Sequence, residues 1–139
     1  KIVLNPAPAA AVPMEIIDKV TYVTPNEHEA VLIFGDELST EELLRKYPEK
    51  LVITQGSRGV STCLKDGRIL NIPARKAQVV DTTGAGDTLN GAFSVQIAEG
   101  KAIEDALTYA NVAASLSTEK FGAQTGMPTR EEVEKELNK

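Results

Sequence analysis

The sequence predicts an α/β protein with a largely parallel sheet and an appended antiparallel β-hairpin. Three patterns carry that expectation. Short apolar runs alternate with stretches of helical periodicity in the first part of the chain. The runs "LVIT", "VSTCL" and "RILNI" then crowd around an Asp-Gly turn. From Gly86 onward the apolar period lengthens from two to 3.6. No internal repeat or low-complexity linker interrupts the plan, and 139 residues is the size of one domain.

Taken in order, Ile2 to Leu4 form a strand ended by "NPAPAAAVP", whose prolines suit neither a helix interior nor a sheet ladder. Pro13 opens a helix with Ile16, Ile17 and Val20 on one face. Tyr22 and Val23 make a short strand and Thr24-Pro25 a turn. A helix follows from Asn26 to about Phe34, with Asn26 and Glu29 spaced as a capping box and Gly35 as C-cap. Ser39 and Glu42 repeat the box before a helix that carries Leu43, Leu44 and Tyr47 and stops at Pro48. "LVIT" is a strand, "QGSRG" a loop, and Lys65-Asp66-Gly67 the turn of a hairpin. One helix runs from Gly86 to about Glu99, where Gly100 ends it. The next places Ile103, Ala106, Leu107, Ala110, Ala113 and Ala114 on one face. Thr129 and Glu132 form a third box and open a terminal helix. The opening "KIVLN" has no start Met and no lead-in, so the chain reads as a piece of something longer, its first strand expected inside a sheet.

Hydrophobic residues at 42% and charged residues at 25% are ordinary for a soluble globular protein. A net charge of -5 without a basic run argues against a nucleic-acid partner or an anionic membrane surface. The single cysteine, Cys63, cannot form an intramolecular disulfide and reads as a small buried strand residue. With no charged-then-apolar leader and no long apolar span, a cytoplasmic location is expected. His28 lacks a metal-spaced partner, and Glu131, Glu132, Glu134 and Glu136 read as a solvated helix face.

The chemistry concentrates in "DTTGAGDTLNGAF", Asp81 to Phe93. Glycines just ahead of a helix let several N–H groups point at one place, and the helix start adds unpaired donors and partial positive charge. That suits a phosphate or a developing oxyanion. Asp87 in the same small volume has two readings. It is a helix cap beside a tight turn, or it is a base that takes a proton from a hydroxyl attacking the held phosphoryl group. No Walker lysine loop occurs, and Leu89 stands where a dinucleotide fingerprint needs its third glycine.

The blocks "NPAPA" (5–9), "TPNEHEA" (24–30), "ITQGSRGV" (53–60), "VVDTTGAGDTLNGAF" (79–93) and "FGAQTGMP" (121–128) occur in that order. Together they resemble the PfkB-type carbohydrate kinase family, and its ribokinase branch most closely. The likeness covers essentially residues 1–139 and implies the C-terminal half of a ribokinase-like three-layer α/β/α fold, the nucleotide-binding and catalytic portion. It implies ATP with Mg²⁺ as phosphoryl donor and ribose, at its 5-hydroxyl, as acceptor. Kinases of deoxyribose, fructose or nucleosides, and a noncatalytic nucleotide-binding module, are the alternatives. By position, Asp87 resembles the catalytic base, and Gly84, Ala85 and Gly86 the anion hole. Thr54, Gln55, Gly56, Ser57, Arg58 and Gly59 match a nucleotide-contacting loop, though Arg58 reads equally as a solvent-facing residue. Asn26 and Asn111 fall where the family places polar groups near the nucleotide. A monovalent cation site for K⁺ is implied at Asp81 and the Thr83 carbonyl on one side and the carbonyls of Ser117, Lys120 and Gly122 on the other. Gly126 stands where many of the family have serine and Thr125 where they often have proline, leaving the sixth ligand open between a backbone carbonyl and a water. Most sugar contacts, and a lid that serves as the homodimer interface, are implied to lie outside these residues, so little sugar kinase activity is expected of this stretch alone.

Overall fold

The structure, a computed structural model, describes residues 1–139. It divides into two compact units, residues 1–71 and 72–139.

In the first unit the chain alternates strand and helix as the apolar pattern requires. Its elements are β1 (Val3–Leu4), α1 (Met14–Lys19), β2 (Tyr22–Val23), α2 (Glu27–Phe34), α3 (Thr40–Lys46), β3 (Val52–Thr54), β4 (Val60–Cys63) and β5 (Ile69–Ile72). β1 pairs in parallel with β2, and parallel bridges at Val23 to Leu51 and Asn26 to Thr54 carry the same direction across to β3. β4 then runs antiparallel to β3, with Val52 opposite Thr62 and Thr54 opposite Val60, and β5 adjoins β4. The parallel part and the appended hairpin are therefore both present. β1 has one sheet neighbour, β2.

Ile17, Val23, Leu44, Leu51 and Ile53 are buried between these elements, with Leu43, Ala30 and Cys63 completing the core. The Phe34 and Tyr47 rings meet at 5.2 Å between centroids at its margin. Helix α1 is only six residues long and turns one narrow stripe inward. Ile17 and Val20 are buried as expected, whereas Ile16 is 45% exposed, so the apolar face does not extend to it. The Lys50 ammonium donates to the carbonyls of Ile17 (2.5 Å) and Asp18 (3.1 Å), satisfying orphan acceptors at the end of that helix.

The second unit carries α4 (Ala85–Ala98), α5 (Ile103–Ser117) and α6 (Arg130–Leu137). α4 packs along α5, and α5 touches α6. Leu89, Phe93 and Ile97 on α4, Ala106, Leu107, Ala110 and Ala113 on α5, and Val133 on α6 are all buried. Alanines on α5 let helix backbones approach closely. None of the helices is long and apolar enough to cross a membrane. Gly91 lies exposed in α4, with nothing within 4 Å of where a Cβ would sit. Gly91→Ala is therefore expected to raise stability by about 0.5–1 kcal/mol, through the smaller backbone entropy loss, as read from the denaturant midpoint.

All three capping boxes form with both reciprocal bonds, at Asn26/Glu29, Ser39/Glu42 and Thr129/Glu132. The expectation of a wholly solvated glutamate face on α6 is corrected at two positions. Glu132 also accepts from Lys120 at 2.9 Å, and Glu136 accepts from Arg75 at 2.7 Å and from Lys139 at 2.6 Å. Arg75 binds Glu119 as well, at 2.9 Å, so one guanidinium ties the segment before α4 to the end of α5 and to α6.

Candidate active site

The start of α4 is shaped by Gly84, which is the N-cap residue and sits in the left-handed region at φ 79°. A Cβ there would lie 3.3 Å from the Cα, Cβ and carbonyl oxygen of Ala123. Glycine at this position thus answers both a backbone conformation and a close approach. The Gly84 carbonyl accepts from the Thr88 backbone N–H and from the Thr88 hydroxyl, each at 2.9 Å. The Gly86 carbonyl accepts from the Asn90 amide at 2.9 Å. The backbone N–H groups of Gly86 and Asp87 have no acceptor within the chain, and space beside Gly86 is open. Unpaired donors at the positive end of a 14-residue helix make a corner that suits an anion.

Asp87 stands in the first turn of α4, exposed, and makes no hydrogen bond or ion pair within the chain. The cap reading is therefore not what the local geometry adopts. Gly84 occupies the N-cap, and no side chain caps α4. A carboxylate left without a partner beside unpaired N–H donors is available to a substrate proton.

Asp81 behaves differently. Its Oδ1 accepts from the Thr83 N–H and its Oδ2 from the Gly122 N–H, both at 2.9 Å. The backbone N–H groups of Val80 and Asp81 in turn donate to the Thr118 carbonyl at 2.7 and 3.1 Å. Segments 80–84 and 117–123 are thereby joined into one structure around the anion corner. Bonds from the Thr83 side chain, the Thr83 backbone and the Gly122 backbone hold the Asp81 carboxyl below its ordinary pKa. A lowered pKa means that the stabilisation is fully present above the unfolded value of about 3.9 and is lost as pH falls through the folded value. The Gly122 amide is expected to lose its exchange protection on acidification below about pH 4, and protection that persists unchanged would show that the carboxylate does not hold the loop.

Three of the four carbonyls named for a cation also come together. Those of Gly122, Ser117 and Lys120 lie 2.6, 2.7 and 3.4 Å from the point where a Cβ on Gly126 would sit. Ser117 is buried, and neither its carbonyl nor that of Lys120 accepts a hydrogen bond within the chain. Of the three residues only Ser117 is buried, Lys120 is exposed, and the Gly122 carbonyl accepts from the Gly126 N–H at 3.0 Å, so the Ser117 carbonyl alone is a buried acceptor without a donor. Three neutral oxygens gathered this closely suit a large, weakly hydrated cation. No group of three His, Cys, Asp or Glu side chains that would suit a metal occurs.

In the other unit, Asn26 and Thr54 are bridge partners, and the Thr54 N–H donates to the Pro25 carbonyl at 3.0 Å. The loop Gln55 to Gly59 is a single tight 3₁₀ turn, closed by Gln55 N–H to the Gly59 carbonyl at 2.8 Å and entered and left through positive φ at Gly56 and Gly59. Ser61 donates to the Gln55 side chain at 2.8 Å. Arg58 is paired with Glu27 at the start of α2. The Asn26 side-chain oxygen is committed to the Glu29 N–H at 2.7 Å, which makes this asparagine a helix cap whatever else it contacts. Asn111 is buried on α5 and donates to the Pro73 carbonyl at 2.7 Å. His28 is exposed and Cys63 buried on β4. The residues that sequence reasoning passed over are Thr88, Thr118, Ala123 and the Arg75, Glu119, Glu136 cluster. Arg75 is 44 and 61 residues from its partners, so no local spacing signals it.

The chain is 56% identical over 137 residues to a ribokinase of Bacillus subtilis, covering 99% of this chain and 46% of that protein. A crystal structure of ribokinase from Thermotoga maritima superposes with a TM-score of 0.88 at 36% identity, covering 99% of this chain and 48% of that one. The structure of Arabidopsis thaliana ribokinase complexed with ribose and ATP superposes at 0.86 with 31% identity, covering 99% and 47%. The chain thus spans a little under half the length of these relatives. The family model for pfkB family carbohydrate kinases matches residues 1–130 and takes in the anion corner, the free carboxylate and the carbonyl ring alike, so the chain belongs to that family.

Proposed function

We propose that the protein to which this chain contributes transfers the γ-phosphoryl group of ATP, taken with Mg²⁺, to a small sugar, with ribose at its 5-hydroxyl as the acceptor. The single observation that carries the reading is the unpartnered Asp87 carboxylate beside the free N–H groups of Gly86 and Asp87. A pure nucleotide-binding module gains nothing from a base at that corner. The ribokinase names of its relatives, and the ribose and ATP held by one of them, point to the substrate class.

In this mechanism Asp87 accepts the proton of the sugar hydroxyl as its oxygen attacks the γ-phosphorus. The bond from phosphorus to the bridging oxygen breaks and ADP leaves. At the Gly84, Ala85 and Gly86 corner the Ala85 N–H is taken by the Thr82 carbonyl at 3.2 Å, so the free N–H groups of Gly86 and Asp87 would meet the phosphoryl oxygens and stabilise their charge where it develops. Thr54 to Gly59, with Asn26 and Asn111, serve the nucleotide. Mg²⁺ bound with the nucleotide would supply neutralisation of phosphate charge. Asp81, the Thr83 carbonyl and the carbonyls of Ser117, Lys120 and Gly122 would hold K⁺, whose charge favours the anion nearby.

The test is a substrate panel on the intact protein with MgATP, comparing ribose, deoxyribose, fructose and a nucleoside. Ribose turnover above the others is expected, and a preference for the nucleoside would replace the sugar reading. Rates in K⁺ are expected to exceed those in Na⁺ at equal ionic strength, and equal rates would remove the cation from the proposal.

A further inference from the structure

Residues 73–84, between β5 and α4, carry neither helix nor strand, yet they deliver the chain to the Gly84 turn. No main-chain hydrogen bond joins residues 73–81 to one another, so their course is set from outside the segment. Helix α5 and the residues just after it supply the tethers. The Asn111 amide donates to the Pro73 carbonyl at 2.7 Å. Glu119 Oε1 accepts from the Arg75 guanidinium at 2.9 Å and from the Gln78 N–H at 3.3 Å. The Thr118 carbonyl then takes the Val80 and Asp81 N–H groups. Beyond them Asp81 holds the Thr83 N–H, and the Thr82 carbonyl accepts the Ala85 N–H in the first turn of α4. Contacts therefore run without a break from Arg75 to the corner where the free N–H groups stand.

Arg75 differs from the other tethers in having two arms. The second reaches Glu136 on α6 at 2.7 Å, and the Arg75 side chain is only 23% exposed. A planar guanidinium holds two carboxylates at set angles, which a lysine, as a point charge on a flexible stem, does not. We propose that Arg75 is a positioning residue for the phosphoryl transfer. Through Glu119 it sets where residues 78–83 lie against the end of α5, and so where the N–H groups that start α4 point. The inference rests on the reading of the site given above. The bland alternative is that Arg75 merely staples α6, in the way that the pairs Lys120 with Glu132 and Arg130 with Glu99 do.

Glu119→Ala and Glu136→Ala separate the two, since each removes one carboxylate from the same guanidinium and only Glu119 also holds the loop. Kinetics with MgATP and the preferred acceptor are run on the intact protein at a temperature where every variant is folded. Arg75→Ala and Glu119→Ala are expected to lower kcat by about tenfold or more, because a misplacement of about 1 Å in a positioned group can cost about 10². Glu136→Ala is expected to melt earlier and to turn over normally. Because the two residues act as one tether, the double variant Arg75→Ala/Glu119→Ala is expected to lose no more kcat than the worse of its singles. Native kcat in Arg75→Ala or Glu119→Ala would overturn the inference, and so would a loss in Glu136→Ala as large as theirs. A native protein inactive with every acceptor would remove the proposed reaction and this inference with it, whereas an active one matched by its variants removes the inference alone. Should either alanine variant fail to fold, Glu119→Gln decides, since it keeps the side chain's length and drops the charge that draws the guanidinium. A lowered kcat there supports the positioning role, and a native one overturns it.

Discussion

Asp87→Asn in the intact protein is expected to lower kcat by about 10²–10⁴-fold, the usual worth of a positioned general base, with little change in KM for ATP. Asparagine keeps the shape and removes the ability to take a proton. The split between kcat and KM follows from where Asp87 stands. It makes no bond within the chain, so its loss disturbs neither the Gly84 turn nor the helix behind it. Asp81→Asn provides the contrast. That carboxylate holds the Thr83 and Gly122 N–H groups, so its replacement should loosen segments 80–84 and 117–123 and weaken nucleotide binding as well as turnover. An Asp87→Asn protein that keeps more than about a tenth of the native kcat would mean that proton removal is not this residue's work. Unfolding midpoints measured on both variants separate chemistry from collapse.

Much of the fold was legible because the devices that place its elements are local. Asn26 with Glu29, Ser39 with Glu42 and Thr129 with Glu132 each span one helical turn, so residue type and spacing suffice to read them. The hairpin at Lys65-Asp66-Gly67 is local in the same sense. What spacing alone did not show lies in long-range pairing and in the main chain. Arg75, Glu119 and Glu136 meet only after α5 and α6 are placed. Two of four glutamates on α6 therefore turned out to be engaged, where charge patterning alone suggests solvent. Ile16 fell outside the buried stripe because a six-residue helix presents too short a face to cover it. At the site, residue types allowed Asp87 to be a cap or a base, and only the geometry placed the cap at Gly84. The carbonyl ring has no residue-type signature at all, since any amino acid supplies a carbonyl. Family resemblance named Ser117, Lys120 and Gly122, and no spacing in the sequence signals that they converge.

Gly84→Ala is the second large effect expected, and Gly100→Ala is the substitution that makes it interpretable. Both glycines have positive φ, 79° and 82°, and a residue with a Cβ pays roughly 1–2 kcal/mol to stay there. Gly100 ends α4 with nothing within 4 Å of its Cβ position, so only that backbone cost applies. Gly84 adds the 3.3 Å approach to the Ala123 backbone, and relief requires either that segment 117–123 retreat or that the turn leave the left-handed region. Each response moves the N–H groups that start α4. Losing one well-placed donor to a developing charge typically costs 10²–10³ in kcat, so Gly84→Ala should lose about that much, whereas Gly100→Ala should melt earlier yet turn over normally. Kinetics at a temperature where both variants are folded make the comparison. Equal kcat in the two would mean that the turn at Gly84 serves folding alone and that the phosphoryl group is stabilised elsewhere.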